Sequence, residues 1–513
     1  MLPANESRVA SQLRTIQELT LGPYAQFENK YKANVIHSSC GRQEVVDTVR
    51  LLLILSPYKG IFFKKIPLFK ATHMNTDKLA AVIFEWQSLI QRRQGVPREL
   101  EQKLLGAMGS RPIKIVTGFR RSGKSFLVQQ VVGRLVREGR IDLANVLYLN
   151  LEDFRLMEVT TPEGLNQIYE LFLSISTRPG KKLLVFDEIQ NVKDWDRFIR
   201  TIYEKDSDEI EIILTGSNSE LLSSELGSNL AGRFIEFFLL PFSFREFLSY
   251  RDTTVADKAG YLRTKREISA LFTEYLNHGG FPEVFDIPAA ESKLSYLSGI
   301  VSKVILDDVV RRFKVENITL LEKLFHYLMA GAGSVSTFAS LSRRCAAMGI
   351  RTKPETIIAY CSYLLKAFAL FEVSRFSWKQ NRIFSDTRKY YSVDTGLITL
   401  YRPPEENLSL RLEQAVYLEL LRRGNTVYFG TNDSGKEIDF IVSGGERHYD
   451  KIQVTATLTA EDEKRELGAF ALADVHLQKG TNLLLSLDED ESALQWHGVT
   501  IERKNLVRWL LAV

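Results

Sequence analysis

Short apolar runs alternate with amphipathic stretches from about Arg111 onward. The runs PIKIVTG, NVLYLNLED, LLVFDE and IEIILTGSNS have the length of buried strands. The stretches KSFLVQQVVGRLVREG and WDRFIRTIYEK repeat apolar residues at helical spacing. Strands that alternate with helices form a parallel sheet covered by helices. The pattern therefore predicts an α/β domain with a parallel sheet.

A leading helix is predicted in the stretch NTDKLAAVIFEWQSLIQRR. Asn75 or Thr76 is expected to cap it. One face is expected to be apolar, with Leu79, Val82, Ile83, Trp86, Leu89 and Ile90.

The later part of the chain shows a different order of predicted helices and strands. Residues 243–313 are predicted to be mostly helical, and residues 318–376 to form helices and a hairpin. Strands return from about residue 379, with a helix over 409–423.

The first 75 residues lack a sustained period and are basic, with ten Lys and Arg against five Asp and Glu. Two interpretations stay open: an accessory element, or a natural start at Met74 that leaves residues 1–73 outside the natural protein. The rest of the chain carries a balance of −1, while the whole chain carries +4. Any contact with DNA must therefore be local.

Composition favours a cytoplasmic globular protein with no membrane partner. The chain is 45% hydrophobic and 25% charged. Leu51 to Leu55 is far too short for a membrane span, and the N-terminus lacks the order of a secretory signal. The three cysteines, Cys40, Cys345 and Cys361, are too widely spaced for a metal knuckle, and their odd number favours a reducing compartment.

The segment GFRRSGKS follows a strand and opens a helix. Its glycines, Gly118 and Gly123, and the following Lys124 and Ser125 have the full Walker A spacing. Backbone N–H groups and the helix N-terminus would surround phosphates, Lys124 would reach the β- and γ-phosphates, and Ser125 would hold Mg²⁺. ATP and Mg²⁺ are the expected cofactors. The residues expected to bind the nucleotide are Gly118, Arg121, Ser122, Gly123, Lys124, Ser125 and Phe126.

The strand KKLLVFDEIQ ends in two carboxylates. Asp187 is expected to hold Mg²⁺, directly or through water, and Glu188 to polarise an attacking water. A solvated acidic strand end is the alternative. A Glu after the Asp separates this motif from the P-loops of kinases and small GTPases, and it indicates hydrolysis.

Two further polar residues are expected near the phosphates. The fourth strand ends in TGSNS, where Asn218 is the first choice to contact the γ-phosphate or the water, and Ser217 the second. Arg233 in LAGRF is expected to stabilise charge on the transferring phosphate, in cis or from a neighbouring subunit of a homo-oligomer. A strand-end turn and a surface arginine are the respective alternatives.

The motifs TGFRRSGKS, VFDEIQ, LTGSNS, LAGRFIEFFLLPFSFREF and YLNHGGFPEVF resemble a large family of prokaryotic AAA-type ATPases fused to a C-terminal domain of poorly known function. The resemblance covers roughly residues 76–513. It implies a P-loop core with strand order 5-1-4-3-2 and Mg·ATP as cofactor. Arg120 and Arg121 are also similar to the family, and Gly279 to Val284 resembles its turn in a helical lid.

The implied organisation has five parts. They are an extension over 1–75, an ATPase core over 76–245, a helical lid over 246–317, a winged-helix-like part over 318–378 and a restriction-endonuclease-like domain over 379–513. The winged helix is expected to contact either DNA or a protein partner. Its candidate phosphate contacts are Arg343, Arg344, Arg351 and Lys353, and its expected core residues are Ile357, Tyr360, Leu364 and Leu365.

The last domain is similar to nuclease-like folds in the order of its polar residues. Glu413 lies on a helix, Asp439 in a strand, and Gln453 in the next strand. In such folds these positions hold Mg²⁺, with a lysine two residues after the last of them. Here Thr455 takes the place of that lysine, which supports the fold and weakens the chemistry. We expect cleavage to be lost or much reduced, and ordinary surface carboxylates are the alternative.

Three functions remain open from the sequence. The first is an ATPase that couples nucleotide state to a winged-helix and nuclease-like module, on DNA or on a DNA-bound partner. The second is an ATP-dependent Mg²⁺ nuclease with an active C-terminal domain. The third is a non-enzymatic nucleotide switch that scaffolds protein partners.

Overall fold

The computed structural model describes residues 75–217, 219–222, 232–350, 352–376, 386–406, 408–431, 437–444, 448–477 and 479–513. The predicted N-terminal extension, up to residue 74, lies outside these ranges. No helix in the described ranges is long and apolar enough to cross a membrane.

The helices are labelled in chain order. They are α1 (Thr76–Arg92), α2 (Glu99–Ala107), α3 (Lys124–Arg137), α4 (Pro162–Ile175), α5 (Trp195–Asp206), α6 (Phe244–Tyr250), α7 (Lys258–His278), α8 (Ala290–Lys303), α9 (Ile318–Ala330), α10 (Phe338–Ala347), α11 (Pro354–Lys366), α12 (Thr395–Thr399), α13 (Leu408–Arg422), α14 (Glu463–Glu466), α15 (Gly468–His476) and α16 (Leu506–Leu511). A π-helix covers Val304–Arg311, and short 3₁₀ helices cover Leu143–Asn145, Phe154–Leu156, Ile189–Asn191, Ser219–Leu222, Pro282–Asp286 and Pro404–Glu406.

The strands are labelled in the same way. They are β1 (Ile113–Thr117), β2 (Val146–Asn150), β3 (Lys182–Asp187), β4 (Ile210–Gly216), β5 (Phe234–Phe238), β6 (Val335–Thr337), β7 (Leu370–Phe376), β8 (Thr387–Ser392), β9 (Thr426–Thr431), β10 (Glu437–Ser443), β11 (Tyr449–Val454), β12 (Asn482–Ser486), β13 (Leu494–Trp496) and β14 (Val499–Asn505).

The alternating pattern folds into a five-stranded parallel sheet. Its order is β2-β3-β4-β1-β5, which confirms the predicted order 5-1-4-3-2. Successive residues of β3 point to opposite faces, so Leu184 and Phe186 pack on one side and Leu183 and Val185 on the other. Helices α1, α4 and α5 cover the first face, and α2 and α3 cover the second.

Helix α1 corrects one detail of the predicted apolar face. Asn75 caps it, because its side chain accepts from the N–H groups of Asp77 and Lys78. Leu89 was expected inside but is exposed, whereas Gln87 is buried and donates to Val146 O at 2.8 Å. The apolar period alone did not reveal that the edge of β2 offers a carbonyl to a polar side chain.

The remaining described strands form one second sheet, in which parallel and antiparallel pairs are mixed. Its nine strands have the order β13-β14-β12-β11-β10-β9-β7-β8-β6. Strands β9, β10 and β11 form an antiparallel meander, and β12 then runs parallel to β11. Strand β7 pairs with both β8 and β9, so the boundary predicted at residues 378 and 379 separates β7 from strands that hydrogen-bond to it.

Candidate functional site

The segment between β1 and α3 forms a concave loop, here called the cradle, whose backbone turns at two glycines. Gly118 has φ +150°, and a Cβ atom there would lie 2.2 Å from Leu239 O. Gly123 has φ +95° and precedes α3 without providing a side-chain cap. Backbone in this region favours glycine, and an uncapped helix N-terminus attracts anions. The local geometry therefore fits the phosphates of a nucleotide.

Lys124 and Glu188 form an ion pair at the floor of the cradle. Their Nζ and Oε1 atoms are 3.5 Å apart, and Lys124 also donates to Phe119 O at 3.3 Å. Burial alone would raise the pKa of Glu188, but Lys124 and a hydrogen bond from Gln190 lower it below its ordinary value. Glu188 is therefore held as a carboxylate, the form that can accept a proton.

Asp187 lies beside this pair and is surrounded by hydroxyl groups. Ser125 Oγ donates to its Oδ1 at 3.0 Å, and Tyr148 OH donates to its Oδ2 at 2.6 Å. Thr215 Oγ1 also donates to Oδ1 and accepts the N–H of Glu188 at 2.9 Å. Burial and the charge of Glu188 raise the pKa of Asp187. Ser125 and Asp187 thus lie together, as a shared Mg²⁺ ion requires.

Three residues in these contacts were not predicted from the sequence. Tyr148 lies on β2, Thr215 on β4, and Gln190 in the short 3₁₀ helix after β3; Gln190 also donates to Ser217 Oγ at 3.4 Å. Strand β4 lies between β1 and β3, so a polar residue near its end necessarily faces the loops that follow its neighbours. The available signal was Thr215, a polar residue directly after the apolar residues Ile212, Ile213 and Leu214.

The cradle opens into a cavity of about 550 Å³, within the roughly 300–1,000 Å³ typical of ligand sites. One wall is the segment after α1, including Gly95 and Val96, and another is the start of the 3₁₀ helix at Pro282 and Glu283. Phe126 lines it, with the Arg93 guanidinium 4.6 Å from the centre of its ring. The space and its lining fit a nucleoside triphosphate.

Two arginines of the loop connect the cradle to the 3₁₀ helix Pro282–Asp286 and to the π-helix. Arg121, with φ +68°, pairs with Glu283 at 2.9 Å. Arg120 pairs with Asp308 of the π-helix and with Glu152, each at 3.2 Å. Burial alone would lower the pKa of Arg120, but the charge of Asp308 raises it above its ordinary value. Both predicted loop arginines therefore contact carboxylates.

Other predicted residues lie elsewhere or outside the described ranges. Asn218 lies outside them, whereas Ser217 is buried next to Gln190. Arg233 precedes β5, and its carbonyl accepts the N–H of Ile113 at the amino end of β1. That is the edge of the sheet opposite to the cradle, where Arg233 pairs with Glu204 at 3.1 Å. The structure thus does not bring Arg233 to the cradle of its own chain.

The predicted carboxylates of the C-terminal half do meet. Asp439 Oδ2 accepts the N–H of Val454, and Asp439 N donates to Gln453 Oε1 at 3.2 Å. Burial, then the charge of Glu413, raises the pKa of Asp439 well above its ordinary value. Gln453 also donates to Glu466 at 2.8 Å.

A lysine missed by the sequence analysis lies at this centre. Lys389, on β8, is 2.9 Å from Glu413 Oε1, 2.5 Å from Glu437 Oε1 and 3.8 Å from Asp439 Oδ1. Burial alone would lower its pKa, but these three carboxylates raise it. Because Lys389 precedes all of them in the chain, no local spacing pointed to it.

The basic residues expected on the winged helix are partly described. Arg343, Arg344 and Lys353 are exposed around α10 and the start of α11, and Arg351 lies outside the described ranges. The expected core residues Ile357, Tyr360 and Leu364 are buried, and Leu365 is half-buried.

Two family models match parts of this chain. A family model described as an AAA domain matches residues 110–248, and one described as a domain of unknown function (DUF8612) matches residues 269–404. The Walker-type ATPase PABY2304 of Pyrococcus abyssi is 16% identical, with a TM-score of 0.37, over 61% of this chain and 97% of its own.

Two relatives match much of the chain. Uncharacterized protein MJ1544 of Methanocaldococcus jannaschii is 29% identical over 431 residues, which cover 82% of this chain and 91% of that protein. An uncharacterized protein of Haemophilus influenzae is 33% identical over 332 residues, which cover 64% of this chain and 79% of that protein. The chain therefore belongs to the same family as this Haemophilus influenzae protein, and its residues 110–248 form an AAA domain.

Proposed function

We propose that this protein hydrolyses ATP with Mg²⁺ and couples its nucleotide state to the C-terminal half of the chain. The observation that supports it is the meeting of Lys124, Ser125, Asp187 and Glu188 at the carboxyl ends of β1 and β3. Parallel α/β sheets bind ligands at this edge.

Each residue has a distinct task in this proposal. Lys124 binds the β- and γ-phosphates, and Ser125 and Asp187 hold Mg²⁺, which neutralises charge on the transferring group. Glu188 orients a water and accepts its proton. Gln190 and Thr215 position Glu188, through its carboxylate and its backbone N–H respectively.

The test is phosphate release from the full chain with Mg·ATP. Lys124→Ala and Asp187→Asn should abolish release, and Glu188→Gln should abolish it while leaving ATP binding intact. Glu152→Gln is the matched control, because Glu152 borders the same cavity but faces Arg120 instead of Lys124. Equal turnover by wild type and Glu188→Gln would contradict the assignment, and tight ATP binding with no turnover by wild type would favour the nucleotide switch.

We propose further that the winged-helix-like part contacts DNA or a DNA-bound partner. The exposed cations Arg343, Arg344 and Lys353 support this, because phosphate contacts need accessible positive charge. Phosphate release should rise with duplex or single-stranded DNA, and Arg343→Ala should reduce the stimulation but not the basal rate. Release that is indifferent to DNA would instead favour a protein partner.

The remaining role of Arg233 is in trans, in a homo-oligomer. Turnover per chain would then rise with protein concentration in wild type and stay flat in Arg233→Ala. A concentration-independent wild-type rate would exclude that role.

A further inference from the structure

The carboxylate centre of the C-terminal half is assembled from separate segments of the chain. Glu413 comes from α13, Glu437 and Asp439 from β10, and the ammonium group of Lys389 from β8. Strand β8 is separated from β10 by β7 and β9 in the sheet. Lys389 and the carboxylates therefore come from elements that are neither adjacent in the chain nor neighbours in the sheet.

The buried positive charge of Lys389 is balanced by the three carboxylates around it. The Lys389 side chain is 1% exposed, and a buried cation needs paired anions and hydrogen bonds. An ammonium group has three donors, and Glu413 Oε1 and Glu437 Oε1 lie within hydrogen-bond distance of it. Tyr391 OH also donates a hydrogen bond to Glu413 Oε1, at 2.6 Å.

These contacts engage one oxygen atom of each of the three carboxylates and the amide oxygen of Gln453. The Oε1 atoms of Glu413 and Glu437 face the lysine, and Asp439 Oδ2 accepts the N–H of Val454 at 2.9 Å. The carbonyl oxygen of Gln453 accepts the N–H of Asp439. Within the described residues, no group of three or more His, Cys, Asp or Glu side chains is arranged to hold a metal ion.

We propose that Lys389 is the resident cation of this centre and excludes divalent metal ions from it. This inference does not depend on ATP hydrolysis; it rests on the expectation from the sequence that the C-terminal module has a non-cleaving role. It also gives that role a cause: the centre is closed by an ammonium group from β8, in addition to lacking the motif lysine at Thr455.

The test is a Mn²⁺ titration of the full chain without nucleotide, followed by electron paramagnetic resonance. Every variant also carries Asp187→Asn, so that the ATPase site does not contribute. With Lys389 present, no Mn²⁺ site should depend on Asp439. Lys389→Met should gain one Mn²⁺ per chain, and Lys389→Met combined with Glu413→Gln should lose it again.

Lys114→Met is the matched control. Lys114 is as deeply buried and lies in a strand, but it faces one carboxylate, that of Glu211, instead of three. Its replacement should create no Mn²⁺ site. A gain in this control equal to that of Lys389→Met would overturn the inference.

Two other outcomes would also overturn it. One is a Mn²⁺ site in the chain with Lys389 intact that disappears in Asp439→Asn, a result that does not depend on the folding of any lysine variant. The other is a folded Lys389→Met chain that binds no Mn²⁺. Phosphate release by the wild-type chain tests the ATPase proposal separately, so the two can fail independently.

Discussion

Replacing Gly279 by alanine should destabilise the protein by several kcal/mol. Gly279 ends α7 with φ +80° and ψ −158°, a conformation that is essentially restricted to glycine. An added Cβ atom would lie 1.6 Å from Asp394 Oδ1. The substitution therefore strains the backbone and also displaces a buried carboxylate.

The magnitude follows from these two effects. Backbone strain of this kind costs about 1–3 kcal/mol. Asp394 Oδ2 accepts the N–H of Gly280 at 2.7 Å, and Oδ1 accepts that of Gly396 at 2.9 Å. A buried polar group that loses its partner costs about 1–3 kcal/mol more. The expected total is about 2–6 kcal/mol.

Gly349 provides a matched control. It has the same φ of +80°, but an added Cβ atom there meets nothing within 4 Å. Gly349→Ala should therefore cost only the left-handed backbone strain, about 1–2 kcal/mol. Urea unfolding followed by circular dichroism would compare the two variants with wild type. The reasoning is refuted if Gly279→Ala is no more destabilising than Gly349→Ala.

Three further substitutions test other contacts. Burial raises the pKa of Asp394 to about 6, so the folded chain binds this proton more tightly than the unfolded chain does. The free energy of unfolding should therefore fall by about 3 kcal/mol as the pH rises from about 4 through about 6. Asp394→Asn should remove this dependence, measured by urea unfolding across that pH range. Tyr148→Phe removes a donor to Asp187, so the Mg²⁺ concentration for half-maximal phosphate release should rise about 10–100-fold, and an unchanged requirement would refute the contact. Thr215→Val removes the hydroxyl between Asp187 and the N–H of Glu188 and should lower kcat about 10–100-fold, while ATP binding measured by calorimetry stays close to wild type; an unchanged kcat would refute the role.

The sheet order and the cradle could be predicted because their signals are local or tied to a known motif order. Gly118, Gly123 and Lys124 lie close together in the chain, at the junction of one loop and α3, and their spacing predicts the backbone geometry. The partners of Asp187 could not be predicted in the same way. Tyr148 and Thr215 reach it from β2 and β4, which flank β3, so their roles depend on strand register.

The turn after α7 contains two adjacent glycines. Gly279 and Gly280 belong to a stretch that resembles a known turn, but no neighbouring residue supplies a physical reason for two glycines. The structure provides it: Gly279 faces Asp394, and a Cβ atom on Gly280 would lie 2.3 Å from Phe242 O. Both contacts join residues more than thirty positions apart, which a single sequence does not reveal.

Asp187 and Asp439 differ in the groups that reach them from other strands. Both are buried aspartates on strands, and both were expected from the sequence to lie at metal-holding positions. Asp187 is surrounded by hydroxyl groups, which are neutral and leave its charge available to a cation. Asp439 lies near the ammonium group of Lys389, which already supplies the compensating charge. The residues next to each aspartate in the sequence do not distinguish the two cases, because the deciding group arrives from another strand.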